Sequence, residues 1–238
     1  MCRVKFSFIF SFTALFFIAA ISDAYGQQQP VNQALNDSLT EYQGLSNGKI
    51  WLNVFYMVTN DQFYVTKDLL TGSVTVLGEK YSPVKFKYDI YNDQLIMPSS
   101  VGSMIELNKE MVDSFSFSAE NKEYHFVNLT NDSISGLSGY AEELARGISS
   151  LYLKHYKELY HMGGQADNDR FYEKQKLYFV IGKKAYLVTG RKELLKLTGN
   201  QKENVLKYIR DNKIRILIKA PETIVPVMNY YNSLLRMK

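Results

Sequence analysis

From Lys49 to about Phe126 the pattern of apolar and polar residues reads as β-strand. The run "KIWLNVFYMV" is dense in β-branched and aromatic residues. In "GSVTVLGEKYSPVKFKY" two strand patterns flank a turn at Gly78-Glu79. Val84, Phe86, Tyr88 and Ile90 alternate with Lys85, Lys87 and Asp89, which predicts one buried and one wet face. After "YNDQ" come "QLIM", "SMIEL", the turn "NKEM", "VDSFSF" and "EYHFVNL". Short strands at this regular spacing predict an antiparallel β-meander folded as a roll or small sandwich.

The second half changes period. "GYAEELARG" reads as a short helix with Gly147 placed to end it. "SSLYLKHYKELYHM" carries strand and helix patterns together. Its alternation of Leu151, Leu153 and Leu159 with Tyr152, Tyr156 and Tyr160 favours the strand. "KLYFVIGKKAYLV" is the clearest hairpin, turning at Gly182-Lys183-Lys184. "RKELLKL" predicts a short helix ending at Thr198-Gly199. Asn200, with Glu203 three residues on, predicts a capped start for "QKENVLKYIRDN". "KIRILIK" reads as a strand. Thr223 is positioned to cap a last helix with Pro226 in its first turn and Val227, Met228, Tyr231, Leu234 and Leu235 on its buried side. The fold class expected is therefore α+β: an N-terminal meander, a second β-hairpin element and C-terminal helices.

The first 26 residues are a different kind of sequence. Arg3 and Lys5 precede an apolar run from Phe6 to Ile21, followed by small residues at Ser22, Ala24 and Gly26. That is the layout of an export signal, with cleavage expected near Ala24 or Gly26. The run falls short of the roughly 20 apolar residues that a spanning helix needs; retention as an N-terminal anchor is the alternative. Residues 27–46, rich in Gln, Asn and Ser, read as a mobile leader. A β-rich domain at 47–135 and an α+β region at 136–238 follow, as two parts or one continuous domain. The single cysteine, Cys2, lies inside the signal, so a chain cleaved there has no thiol for a disulfide, a thiolate zinc site or a cysteine nucleophile.

Charge adds one asymmetry. Residues 27–182 hold 13 Lys/Arg against 19 Asp/Glu, a net of −6, whereas residues 183–219 hold 11 against 3, a net of +8. A basic face near the C-terminal end is either a solvated helix surface or a contact for an anionic surface. Lys207, Arg210, Lys213 and Arg215 are the residues this reading selects.

Catalytic and metal patterns are weak. Asp89, Asn92 and Asp93 offer oxygen donors, but a calcium loop spaces its ligands at alternate positions about a glycine. Asn and Asp at these positions fit a turn instead. "HYKELYH" brings His155, Glu158 and His161 near one another, yet on a strand Glu158 faces away from both histidines, which read as partly exposed. Glu142 and Glu143 diverge on the expected helix and make a poor acid–base pair. "SGLSG" and "GISSL" lack a nucleophile elbow, and no glycine-rich phosphate loop is present. No catalytic residue, cofactor or metal is assigned. The 18 tyrosines and 14 phenylalanines suit half-buried strands and binding surfaces.

One resemblance stands beside this reading. Gly72, Val74, Gly78, Tyr81, Val84, Tyr88, Asp89, Asp93 and Leu95 fall on a G-x-V-x-x-x-G-x-x-Y-x-x-V-x-x-x-Y-D-x-x-x-D-x-L pattern. With "GYAEELARG", "KLYFVIGKKAYLV", "KELLKL", "VLKYIRDNKI" and "NYYNSL", the chain resembles an uncharacterised group of secreted Gram-negative envelope proteins. It departs from that group at Ser82, before Pro83, and in the polar "ISSLYLK". The resemblance implies an envelope location and brings no activity with it.

The expectation is an exported, periplasmic or outer-envelope module that binds or supports an envelope protein or an anionic surface. Nucleic acid is not an expected partner, and no transmembrane helix is expected after the signal. A hydrolase or other enzyme with an unrecognised site is the alternative, and it requires a pocket where polar residues converge near His155, His161 or Asp169.

Overall fold

Eleven strands pair into one antiparallel sheet in the order β1-β5-β4-β3-β2-β6-β7-β8-β9-β10-β11. The computed structural model describes Leu45, residues 48–163 and residues 168–236, which belong to one body, Gly44–Lys238. The expected signal lies outside the described residues, as does the expected leader apart from Leu45. Leu45 is itself fully buried, so the core begins before the leader was expected to end.

The strands are β1 (Lys49–Ile50), β2 (Leu70–Val76), β3 (Glu79–Asp89), β4 (Gln94–Pro98), β5 (Met104–Glu106), β6 (Val112–Ala119), β7 (Lys122–Asn128), β8 (Tyr140–Ala145), β9 (Ser149–Tyr160), β10 (Arg170–Ile181) and β11 (Lys184–Leu187). Their turns follow local chemistry. Leu77 and Gly78 both have positive φ at the β2–β3 corner, as a tight two-residue hairpin demands. The long pairing of β9 with β10 runs from Ser149–Ile181 to Tyr160–Arg170, and β11 adds to β10 through the expected hairpin. Pairing of β7 with β8 carries the sheet across residue 135.

A segment that belongs to no strand rolls this sheet. Thr59 N donates to Asp169 O at 2.7 Å, and Phe171 N donates to Thr59 O at 3.1 Å. A few residues later Tyr64 N donates to Tyr88 O at 2.9 Å, and Ile90 N donates to Gln62 O at 3.1 Å. Residues 59–64 thus strap the start of β10 to the end of β3. The inward side chains are aromatic: Tyr64, Tyr88, Phe115, Phe117, Phe126 and Tyr140. Phe115 stacks on Phe126 with centroids 4.8 Å apart and planes 4° from parallel.

Three helices close the chain: α1 (Arg191–Leu197), α2 (Lys202–Asp211) and α3 (Val225–Arg236). They cover Leu151 and Leu153 of β9 and Leu177 and Phe179 of β10 with Leu194, Val205, Ile209, Val227 and Met228. Val227, Met228 and Tyr231 are buried and Leu234 and Leu235 pack at the margin, as the sequence pattern predicts. Tyr208 of α2 stacks on Tyr230 of α3 at 4.1 Å. Asn232 ties α3 to the sheet: its Oδ1 accepts from Ser149 N and Ser149 Oγ, both at 2.9 Å, and its Nδ2 donates to Ser149 O.

Several local expectations are corrected. "GYAEELARG" is β8, not a helix. Its two neighbours, β7 and β9, supply a ladder on each side, and that pairing overrides the helix preference of Ala, Glu and Leu. "KIRILIK" finds no strand partner. Its alternation is real, but Ile214, Ile216 and Ile218 pack on the helical core as an irregular extended segment. Asn200 lies within a 3-10 turn, Gly199–Gln201, and α2 starts without a side-chain cap. Thr223 does not cap α3 either. It sits inside a 3-10 turn, Pro221–Ile224, where its hydroxyl donates to Ala220 O and accepts from Leu217 N.

Candidate functional site

Among the described residues, two polar constellations that reach into the core and one charged surface bear on function. The first centres on the β3–β4 corner. Asp89, expected on the wet face, is fully buried. Its Oδ1 accepts from Tyr91 N at 3.0 Å and Asn92 N at 2.9 Å, and its Oδ2 accepts from Asn92 Nδ2 at 2.9 Å. These bonds build the turn. Burial lifts the Asp89 carboxyl above the ordinary aspartate range, against the pull of the Asn92 and Tyr91 bonds.

Asp93 has positive φ and turns its carboxylate into a junction. Its Oδ1 accepts from Tyr88 Oη at 2.8 Å. Its Oδ2 accepts from Lys109 Nζ at 2.5 Å, Lys154 Nζ at 2.8 Å and Tyr140 N at 3.2 Å. Burial opposes ionisation of Asp93, but Lys154 and Lys109 outweigh it and hold the carboxyl below the ordinary range. Burial depresses the Lys154 ammonium below the ordinary lysine range, against the opposing pull of Asp93, and the nearby Lys109 charge adds to the depression. Gly139 has φ +76, and a Cβ there would lie 1.9 Å from Asp93 Oδ2, so glycine is required. Asp89 thus accepts three hydrogen bonds and Asp93 four, all from the protein, and these bonds build the corner.

The second constellation is a buried chain. Lys122 Nζ donates to Glu142 Oε1 at 2.7 Å, Glu142 Oε2 lies 2.8 Å from His155 Nε2, and that nitrogen lies 3.3 Å from Tyr64 Oη. The register of β8 against β9 turns Glu142 and His155 to one face. His155, expected to be partly exposed, is only 5% exposed, and its Nδ1 has no hydrogen-bond partner among the described residues. Burial opposes ionisation of Glu142, but the bonds from His155 and Lys122 prevail and hold its carboxyl below the usual range. Burial, and then the Glu142 charge, push the Tyr64 phenol far above its ordinary value. Sequence reasoning missed this chain because it placed Glu142 on a helix. Only strand parity would have aligned Glu142 with His155.

His161, by contrast, is exposed and pairs with Asp169 at 2.6 Å, away from His155. His125 is exposed on β7 and meets Ser116 at 2.8 Å. Among the described residues no group of three or more His, Cys, Asp or Glu is placed to hold a metal ion.

The charged surface is the helical layer. Lys207, Arg210, Lys213 and Arg215 are all exposed. Among the described residues, no carboxylate lies within ion-pairing distance of any of the eleven Lys/Arg between 183 and 219. The structure adds four residues that the sequence reading did not select. Arg191, Lys192 and Lys196 of α1 and Lys202 of α2 line an open cleft of about 640 Å³ over Leu195. The helix–turn–helix geometry of α1 and α2 brings them together across the Thr198-Gly199 break. A surface of unpaired cations around a shallow apolar floor can hold an anion by charge while taking up an apolar group beside it.

No helix among the described residues is long and apolar enough to cross a membrane. No protein family matches the chain, and neither a curated protein nor a solved structure matches it.

Proposed function

We propose that this protein is an exported, envelope-associated binding module that docks on an anionic surface through its helical layer. The observation that carries the reading is the run of eleven cations between 183 and 219 with no carboxylate partner among the described residues. Elsewhere part of the lysine set is paired: Lys49, Lys109, Lys122, Lys154, Lys157 and Lys174 each reach a carboxylate. Cations left without carboxylate partners raise the local potential and attract polyanions or anionic headgroups. The basic residues and apolar run at the start of the sequence, and the resemblance to secreted envelope proteins, support the location.

The hydrolase alternative would draw on Glu142, His155 and Tyr64, an acid, a base and a hydroxyl in sequence. The hydroxyl belongs to a side chain only 5% exposed within the aromatic core, and burial holds its proton tightly. That arrangement serves packing better than nucleophilic attack.

The test is retention on heparin at low and high salt. Binding should be salt-sensitive, because a Debye length of about 10 Å at 0.1 M screens exposed charge. Reversing Lys207, Arg210 and Lys213, or Arg191, Lys196 and Lys202, should weaken it. Absent or salt-independent retention removes the proposal.

A further inference from the structure

The strongest unexplained surface is the segment that leads into the strap. Ile50, Leu52, Val54, Tyr56 and Met57 are 67%, 75%, 69%, 74% and 70% exposed. Between them Trp51 and Phe55 turn inward. Trp51 packs on Phe63 at 5.9 Å, and Phe55 sits edge-on to Tyr91 and Phe171, both at 5.2 Å. The inward aromatics hold the segment in place, so its apolar side chains are presented outward from a fixed backbone. Five large apolar side chains are exposed within eight residues, the kind of surface that monomeric soluble proteins bury or use.

A second segment lies beside it. Phe171 and Gln175 share one face of β10, since strand side chains alternate. Phe171 receives the apolar segment, whereas Gln175 Nε2 donates to Lys219 O at 3.4 Å. Four residues of strand span about 14 Å. The neighbouring segment runs from Lys213 to Lys219 with Ile214, Ile216 and Ile218 packed inward and Lys213, Arg215 and Lys219 exposed. One face of β10 therefore meets the apolar segment at Phe171 and the basic segment at Gln175.

We propose that this pair of segments is a bilayer-docking surface: the 50–57 segment enters the acyl region while the basic segment contacts anionic headgroups. The occupant is a lipid surface for two reasons. A soluble polyanion has no use for five exposed apolar side chains. A second copy of this chain would bring unpaired cations against one another. Peripheral attachment of this sort combines modest apolar insertion with a basic patch, neither sufficient alone. The inference rests on the anionic-surface reading above and extends it by naming the partner's chemistry.

Trp51, the one tryptophan in the sequence, makes the experiment local. The full-length protein is mixed with vesicles of phosphatidylcholine alone or with phosphatidylglycerol, with and without bromine on the acyl chains, while Trp51 emission is followed. Expected are a blue shift and quenching by brominated chains on the anionic vesicles. The charge-neutral Leu52→Ser/Val54→Ser variant should need at least roughly tenfold more lipid, since each apolar side chain is worth about a decade in partitioning. Its retention on heparin should be unchanged. Vesicle binding without Trp51 quenching, or a variant that partitions like the parent, overturns the inference. Heparin retention with no vesicle binding also overturns it while sparing the broader reading; loss of both removes the two together. Light scattering that shows a dimer dissolved by the same substitutions would assign the apolar segment to self-association and overturn it as well.

Discussion

Lys154 of β9 places its ammonium 2.8 Å from Asp93, 61 residues earlier at the β3–β4 corner. Lys109 reaches the same carboxylate oxygen from the turn before β6. One acidic side chain thus fastens a hairpin corner to a strand from the other half of the chain, and both Asp93 and Lys154 are largely withdrawn from water.

Asp93→Ala should cost about 3–5 kcal/mol, the range for removing one partner of a buried ion pair, because two ammonium groups are left facing a void. Urea unfolding should show this as a lower midpoint. Asp93→Asn, which keeps the shape and loses the charge, should recover only part of it.

Acid should unfold the protein chiefly through Asp93 and Glu142. Both carboxyls are held below their ordinary values in the fold, whereas unfolded they titrate near about 3.9 and 4.3. Their stabilisation is complete above those unfolded values and disappears as pH falls through the folded ones. Asp89 acts in the opposite sense. Its folded value is raised, so its contribution declines as pH rises from about 3.9 through that folded value. Thermal melts should therefore drop below about pH 4, as Asp93 and Glu142 take up protons. Asp93→Asn should flatten the drop; an unchanged slope would contradict this assignment.

Asn232→Ala should release α3 from the sheet. Ser149 N and the Ser149 hydroxyl lose their acceptor inside the core, a penalty of about 1–3 kcal/mol. Hydrogen exchange at Leu151 and Leu153 should rise with it. Gly147→Ala should act in the same direction, since its Cβ would lie 2.4 Å from Asn232 Nδ2.

His155→Leu should destabilise by about 1–3 kcal/mol, because Glu142 then keeps Lys122 as its charged partner but loses a buried donor. The double substitution with Glu142→Gln should cost less than the two single effects added, the mark of a shared interaction. Additive costs would show that the pair is not coupled.

The meander, the Gly182 hairpin and the buried side of α3 were legible because each depends on a local period: alternation, turn residues, or apolar spacing along a helix. What misled was sequence whose fate is decided elsewhere. Ala141, Glu142 and Leu144 favour a helix alone but lie in β8 because β7 and β9 offer edges on both sides. Ile214, Ile216 and Ile218 alternate like a strand yet have no edge to join. At the candidate surface, net charge located the basic layer but not the Arg191–Lys202 cleft, which appears only when α1 and α2 fold back on each other. "YDIYND" was readable as a corner. That its second aspartate also reaches Lys154 could not be inferred without the sheet's curl.

The strap at residues 59–64 has a consequence for the order of assembly. It leaves the ribosome before β3 and β10, yet it is bonded to both. Asn60 Nδ2 donates to Phe171 O across 111 residues. Such distant partners make closure late and entropically demanding. A chain emerging N-terminus first cannot seal its aromatic interior until residue 171 has arrived. Until then it carries Tyr64 and its neighbours uncovered, so the aromatic interior is among the last parts of the fold to leave water.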